Sequence, residues 1–259
     1  MGTIDFGQVA KSYARAREDI PVSLMDSLYI RGISFDGKKV ADIGCGTGAF
    51  TRKLAMRKAE IVGIDPSRDL LQQAKELNRL KNYQIPYVEG TAESTRLEDS
   101  EMDIVTVMRA WHWFDRPKTL EEINRILKPG GSLIIIDSGF LTQSTFVQET
   151  LEILSHYVEG GLKPAGAKAE SKQRINGFPI EWFQEWRTAG FELRDFYKLT
   201  YQVSFTPNQW IERIESTSWL AGMNEATRTI VLQELTDHHQ VQESVTIPHE
   251  CNVCILKLN

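Results

Sequence analysis

The chain has 259 residues, a formal net charge of −5, and 41% hydrophobic and 25% charged side chains, a balance that supports one substantial buried core. No run of Lys and Arg exceeds a few residues, which argues against a nucleic-acid partner held through its phosphates. Met1 to Asp19 lacks a signal-type apolar segment, no apolar strand is long enough to span a bilayer, and three cysteines, an odd count, give no disulfide framework. These features predict a cytoplasmic monomer or homodimer with no membrane partner.

Helical spacing predicts helices over residues 5–17 and 21–31, with Pro21 near the start of the second. Short apolar strands follow near 39–43, 60–64, 85–89 and 103–108, separated by helical patterns over 48–57 and from Ser67, a candidate cap, to about 80. A helix over 117–127 is expected to stop at Pro129-Gly130-Gly131, and Leu133 to Ile136 is a continuous apolar run, as in a strand buried on both faces. Strands alternating with helices imply right-handed crossovers and an open, mostly parallel sheet. An amphipathic helix is predicted over 144–158, then a long connection over 160–177 with four glycines and few large apolar residues. A helix over 179–189, a strand over 191–204, a helix from Thr206-Pro207 to about 221, another from Asn224 to about 238, and a last strand over 247–258 complete the chain. No linker or repeat interrupts it, so one domain is expected over 1–259: a core of about 36–141 and 175–259, with 1–31, 142–178 and 206–240 as substrate cover.

The chemistry concentrates at two strand ends. Asp42-Ile43-Gly44-Cys45-Gly46-Thr47-Gly48 is a glycine-rich turn after the first strand, and the second strand stops on Asp65, followed by Pro66. This is the layout of a nucleoside-binding βαβ unit, in which glycines admit the ligand and the second acid receives the ribose hydroxyls. A dinucleotide fingerprint would read G-x-G-x-x-G, with the helix N-terminus aimed at a pyrophosphate. Here the spacing is G-x-G-x-G, and Asp42 would repel a pyrophosphate. It suits a ligand with an adenosine, an ammonium and a cationic sulfur, as in S-adenosylmethionine (SAM). Trp111-His112-Trp113-Phe114 sits beyond the fourth strand, at the ligand mouth of such a sheet. Trp111 and Trp113 read either as core or as an aromatic wall for a sulfonium and its acceptor. His112, with an ordinary pKa near 6.5, reads either as a base or positioning group for an acceptor or as a structural histidine. Arg109 is a candidate for a carboxylate of the cofactor or of the acceptor. His249-Glu250-Cys251-Asn252-Val253-Cys254 has metal-like spacing, but in a strand Cys251 and Cys254 face opposite sides, so no metal is expected. His238 and His239 read as solvated.

Five segments in order resemble a class I SAM-dependent methyltransferase of the small-molecule branch, which includes ubiquinone-biosynthesis and trans-aconitate methyltransferases. They are Asp42 to Gly48, Asp65, Gly90 to Glu93, Trp111 to Asp115, and Leu127 to Gly131. The resemblance is strong over about 100 residues, Lys39 to Asp137, and weak elsewhere. It implies a Rossmann-like, mostly parallel seven-stranded sheet with an antiparallel final strand and a helical cover over the strand ends. It implies a SAM site of Tyr13, Arg17, Asp42, Gly44, Cys45, Gly46, Asp65, Pro66, Thr91, Ala92, Glu93 and Arg109, with Thr91 and Ala92 at the adenine. Many relatives carry Asp where Thr91 stands, which weakens that contact. It implies transfer of the SAM methyl to a small molecule, leaving S-adenosylhomocysteine (SAH). The competing readings are a SAM-binding protein without catalysis and an NAD-type oxidoreductase, the latter disfavoured by the glycine spacing and Asp42.

Overall fold

The computed structural model describes residues 6–239 and 243–259. Its frame is one sheet of seven strands in the order β3-β2-β1-β4-β5-β9-β8. These are β1 (Lys39–Ile43), β2 (Glu60–Asp65), β3 (Tyr87–Glu89), β4 (Met102–Met108), β5 (Leu127–Phe140), β8 (Phe191–Phe205) and β9 (Val245–Leu258). The first five pair in parallel, while β9 runs antiparallel between β5 and β8. A separate two-stranded ladder joins β6 (Arg174–Ile175) to β7 (Phe178–Pro179). The expected fold is therefore observed.

Alternation along the strands divides the core into two layers. Ala41, Ile43, Val105, Val107, Leu133 and Ile135 face α5 (Arg116–Ile126) and α7 (Ile180–Thr188). Val40, Ile61, Ile104, Ile134 and Ile136 face α2 (Ser23–Ile30) and α3 (Ala49–Ala55). Cys254 lies in the first layer and Cys251 in the second, so the two thiols sit on opposite faces as the strand period requires. A third cluster packs α6 (Thr145–Ser155), α8 (Pro207–Glu215) and α10 (Glu225–His239) around the buried Trp210. α1 (Ala10–Ala16) packs on α8, which is followed by and touches α9 (Ser218–Ala221).

Local chemistry sets the boundaries. Ser67 caps α4 (Arg68–Leu80) through Leu70 N–H, and Thr206 and Gln209 form a reciprocal capping box at α8. Three expectations are corrected. The helix before β5 ends at Ile126, and Pro129-Gly130-Gly131 lies inside the strand, at the register shift opposite Met102 to Ile104, with Gly130 at φ +71°. The predicted helix to residue 221 is two helices, because Ser216 and Thr217 turn their hydroxyls back onto the carbonyls of Arg213 and Ile214. His239 is not solvated: it is fully buried, with Nε2 3.0 Å from Thr150 Oγ1, whereas His238 is exposed beside Glu149. Glu149, His238 and His239 draw together three groups able to bind a metal, away from the glycine turn. No helix among the described residues is long and apolar enough to cross a membrane.

Candidate active site

A cleft of about 2000 Å³ runs along the carboxyl ends of β1, β2, β4 and β5, larger than the pocket of a single drug-sized ligand. Its floor is the turn after β1. Gly44 stands at φ +69°, and a Cβ there would meet Ala110 Cβ at 2.5 Å and Phe114 Cζ at 3.1 Å, so both the left-handed backbone and the close packing demand glycine. Asp65 ends β2 beside this turn. Its Oδ2 accepts from Gly46 N–H (2.8 Å) and its Oδ1 from Ser67 N–H (2.9 Å). Burial raises its pKa, and the two backbone N–H groups oppose that shift. Each oxygen keeps acceptor capacity for a further donor, which is what a vicinal diol requires.

From Asp65 the wall continues through Pro66, Thr91, Ala92 and Glu93 on one side and Tyr13, Arg17, Arg109, His112 and Trp113 on the other. Glu93 also accepts from Asp115 N–H at 2.9 Å, tying the turn after β3 to the segment after β4. Phe6 stacks edge-on against both Tyr13 (5.8 Å) and Trp113 (5.7 Å), and His112 lies 4.9 Å from Trp113, giving one aromatic side to the cleft.

Residues 41–135 match the family described as a methyltransferase domain. A Mycobacterium tuberculosis protein described as an uncharacterised methyltransferase is 32% identical over 152 residues, 59% of this chain and 59% of that protein. A Campylobacter jejuni ubiquinone/menaquinone biosynthesis C-methyltransferase is 26% identical over 228 residues, 77% of this chain and 92% of that protein. The chain thus spans 59% of the length of the mycobacterial relative. A SAM-dependent methyltransferase from Aquifex aeolicus shares the fold at TM-score 0.53 and 18% identity, over 75% of this chain and 92% of that one. So does the [4+2]-cyclase SpnF, at TM-score 0.54 and 18% identity, over 91% and 79%, a reminder that this fold alone does not fix the reaction. The matched stretch, residues 41–135, contains the glycine turn, Asp65 and the Trp111–Asp115 segment.

Around the cleft the expected residues divide. Gly44, Gly46, Asp65, Pro66, Thr91, Ala92, Glu93, Tyr13, Arg17, Arg109, His112 and Trp113 all line the cleft. Asp42 does not. It lies beneath the glycine turn, 1% exposed, with Oδ2 accepting from Thr51 (2.6 Å) and Oδ1 from Thr106 (2.8 Å). It stitches β1 to α3 and β4, and burial pushes its carboxyl up to about 6. Cys45 also turns away, packing beside Tyr87, and burial raises its thiol. Trp111 is core: it is buried against Trp186 and Phe114, with its Nε1 lacking a partner among the described residues.

Two lining residues behave differently from expectation. Arg109 stands at φ +58°, a strained conformation for a side chain of this size. That turn aims its guanidinium at Asp19 (Nη1 to Oδ1, 2.6 Å), Ser138 Oγ (2.8 Å) and the carbonyls of Arg17 and Asp19. His112 is buried, and burial with Lys168 alongside pushes it down to about 3. The ring is neutral at neutral pH and a weak base, unlike the ordinary histidine the sequence suggests.

The sequence also leaves residues unflagged. Asp137, at the end of the apolar run of β5, pairs with Lys168 from the 160–177 connection. The same connection brings Gly166 (φ +53°) so close that a Cβ there would lie 2.2 Å from the His112 carbonyl oxygen. Asp19 and Arg213 meet at 2.9 Å although 194 residues separate them, so no local pattern flags either.

Proposed function

We propose that this protein transfers the methyl group of SAM to a small-molecule acceptor by in-line displacement. The carrying observation is the cleft floor: a methyltransferase-domain turn, Gly44 to Gly46, bonded through Gly46 N–H to the Asp65 carboxylate at the end of β2. The donor set fits the cofactor. Asp65 offers acceptor positions for the ribose hydroxyls, the turn at Thr91 and Ala92 would border the adenine, and Tyr13 would border the methionine arm. When bound, SAM supplies an electrophilic methyl on a sulfonium.

The protein's contribution is placement and dryness. Phe6, Trp113 and His112 wall the reacting region, and the 160–177 connection closes against them through Gly166. Holding donor and acceptor in line without water removes much of the barrier. A neutral His112 positions the acceptor by a hydrogen bond, because a nearby sulfonium disfavours an imidazolium further. Arg17 lies within reach of a carboxylate, whether of the methionine arm or of the acceptor.

Isothermal titration tests the reading. SAM and SAH should each bind once per chain, NADH should not, and Asp65→Ala should weaken SAM by about 1–3 kcal/mol through lost charged hydrogen bonds. Methyl transfer to at least one member of an acceptor screen should follow. Tight NADH binding with indifference to SAM would overturn the assignment, and SAM binding without turnover on any acceptor would favour a non-catalytic SAM protein.

A further inference from the structure

The wall of the cleft opposite Asp65 holds an unusual charge arrangement. Asp19 is the buried centre, its side chain 2% exposed. Arg109 contacts one of its oxygens and Arg213 the other, from side chains 8% and 2% exposed. Arg17 completes the group, yet among the described residues its guanidinium hydrogen-bonds to the hydroxyl and carbonyl of Ser216 and lies over the Tyr13 ring. Among the described residues no carboxylate stands within ion-pair distance of it. Arg213 Nη1 is buried with no hydrogen-bond partner among the described residues. All three arginines line the cleft.

Among the described residues two guanidiniums contact this carboxylate and a third stands nearby, a surplus of two positive charges. Neighbouring groups do not remove it. His249, 3.6 Å from Asp19, is held neutral by burial, which pushes it down to about 4. Asp137 is taken by Lys168, and Glu250 lies beside Lys198 at 3.3 Å. The strain registers on Arg17: burial, with Arg213 and Arg109 alongside, lowers its pKa to about 9. Buried charge of one sign is costly unless an opposite charge completes it.

SAM does not supply that charge. Its methionine arm carries a carboxylate but also an ammonium, and its sulfur is cationic, so its amino-acid end has a net charge of about +1 at neutral pH, by the reference ionisation of these groups. Binding it adds to the surplus. An anionic acceptor would supply the opposite charge.

We propose that the methyl acceptor is an oxyanion-bearing acid, a carboxylate or a phosphate ester, and that Arg17 and Arg213 bind its anionic group. The inference rests on the methyl-transfer reading and names the acceptor class of that same site. Guanidinium forks match both anions in bidentate geometry. An oxygen held in such a fork has its lone pairs occupied and is a poor nucleophile, so the bound group anchors the acceptor while another atom faces the methyl.

Thermal shift and isothermal titration on the full chain, saturated with SAH at constant ionic strength, provide the test. The probes are succinate, glutarate, benzoate and phenyl phosphate, with succinamide and benzamide as neutral counterparts and chloride as the salt control. At least one acid should bind tenfold or more tightly than its amide, and the carboxylate and phosphate arms identify the anion. Arg17→Gln should weaken that acid at least tenfold while shifting SAH binding less than threefold. It should also raise the melting temperature of the ligand-free protein, since it removes an uncompensated charge, an effect a purely structural arginine would not give. Arg213→Gln serves as a second variant if it folds, and Arg17→Gln keeps the proposal testable if it does not. SAH binding with no preference for acids over amides overturns the inference and leaves methyl transfer standing. Loss of SAH binding in Arg17→Gln overturns it too, by assigning Arg17 to the cofactor. An absence of SAH binding in the native chain defeats the methyl-transfer reading and this inference with it.

Discussion

Asp42, beneath the turn of the cleft floor, and Asp19, behind the arginines of its wall, are both buried acids, and the protein treats them in opposite ways. Asp42 meets two hydroxyls and no cation, and burial pushes its carboxyl up to about 6. Asp19 meets two guanidiniums with a third nearby, and they hold its carboxyl well below the usual range although burial opposes them. The first is a neutral-tending stitch between β1, α3 and β4. The second is an ionised hub for groups that face ligand. Burial alone therefore predicts neither charge nor role; the partners decide.

The largest test removes the hub. Asp19→Asn leaves three arginines without their acid and should cost about 3–5 kcal/mol, the range for breaking a buried ion pair. Chemical denaturation measures it, and a loss below about 1 kcal/mol would show that solvent already screens the cluster. The next test uses pH. Folded Asp42 holds its proton more tightly than the unfolded residue, so its contribution to stability is fully present below about pH 4 and is lost as pH rises through about 6. Relative to Asp42→Asn, the native chain should gain about 2 kcal/mol on acidification from pH 6.5 to 4. Asp19 has the opposite sign, its contribution lost only below about pH 4. His112, His239 and His249, pushed down to about 3, 4 and 4, destabilise both proteins alike on acidification and cancel in the difference. A flat difference profile would mean Asp42 is no stitch.

Smaller effects sharpen the contrast between the sheet and its cover. Gly166→Ala places a methyl against the His112 carbonyl and strains a positive φ, at about 1 kcal/mol for the backbone alone. Turnover should fall more than SAM affinity. Hydrogen exchange over 160–177 should be fast without acceptor and slow with SAM and acceptor, and in the variant that slowing should be lost. Equal protection in both states would make the segment a plain connection. The smallest effect is His112→Gln. It should raise the acceptor KM and lower kcat less than tenfold, and neither protein should show a kcat/KM limb from this residue between pH 5 and 8. A fall of 10²-fold, with such a limb lost, would restore His112 as the base.

How far the sequence carries follows from the same contrast. The β1 strand at Lys39–Ile43 and the Asp65 terminus are legible because apolar runs and their punctuation are local. The cap at Ser67 and the proline start of α8 are local too. Trp111 and Trp113 look alike in sequence, yet one is core and one is 37% exposed, because α7 brings Trp186 against only the first. Asp42 carries the right residue type for a ligand and is withheld by Thr51 and Thr106, whose hydroxyls only the fold delivers. Arg213 and Asp19 come from opposite ends of the chain, and no pattern of spacing reaches that far.

That separation has a consequence for assembly. The Arg17–Ser216 contact closes a loop of 199 residues, and Asp19–Arg213 one of 194, so the roof of the cleft forms only when both ends of the chain have docked. A ligand that strengthens these contacts fastens the first and last thirds of the chain together. Its occupancy should therefore register as protection of both ends from proteolysis at once, far from the glycine turn. The anionic substrate would act as the clasp of the whole circuit.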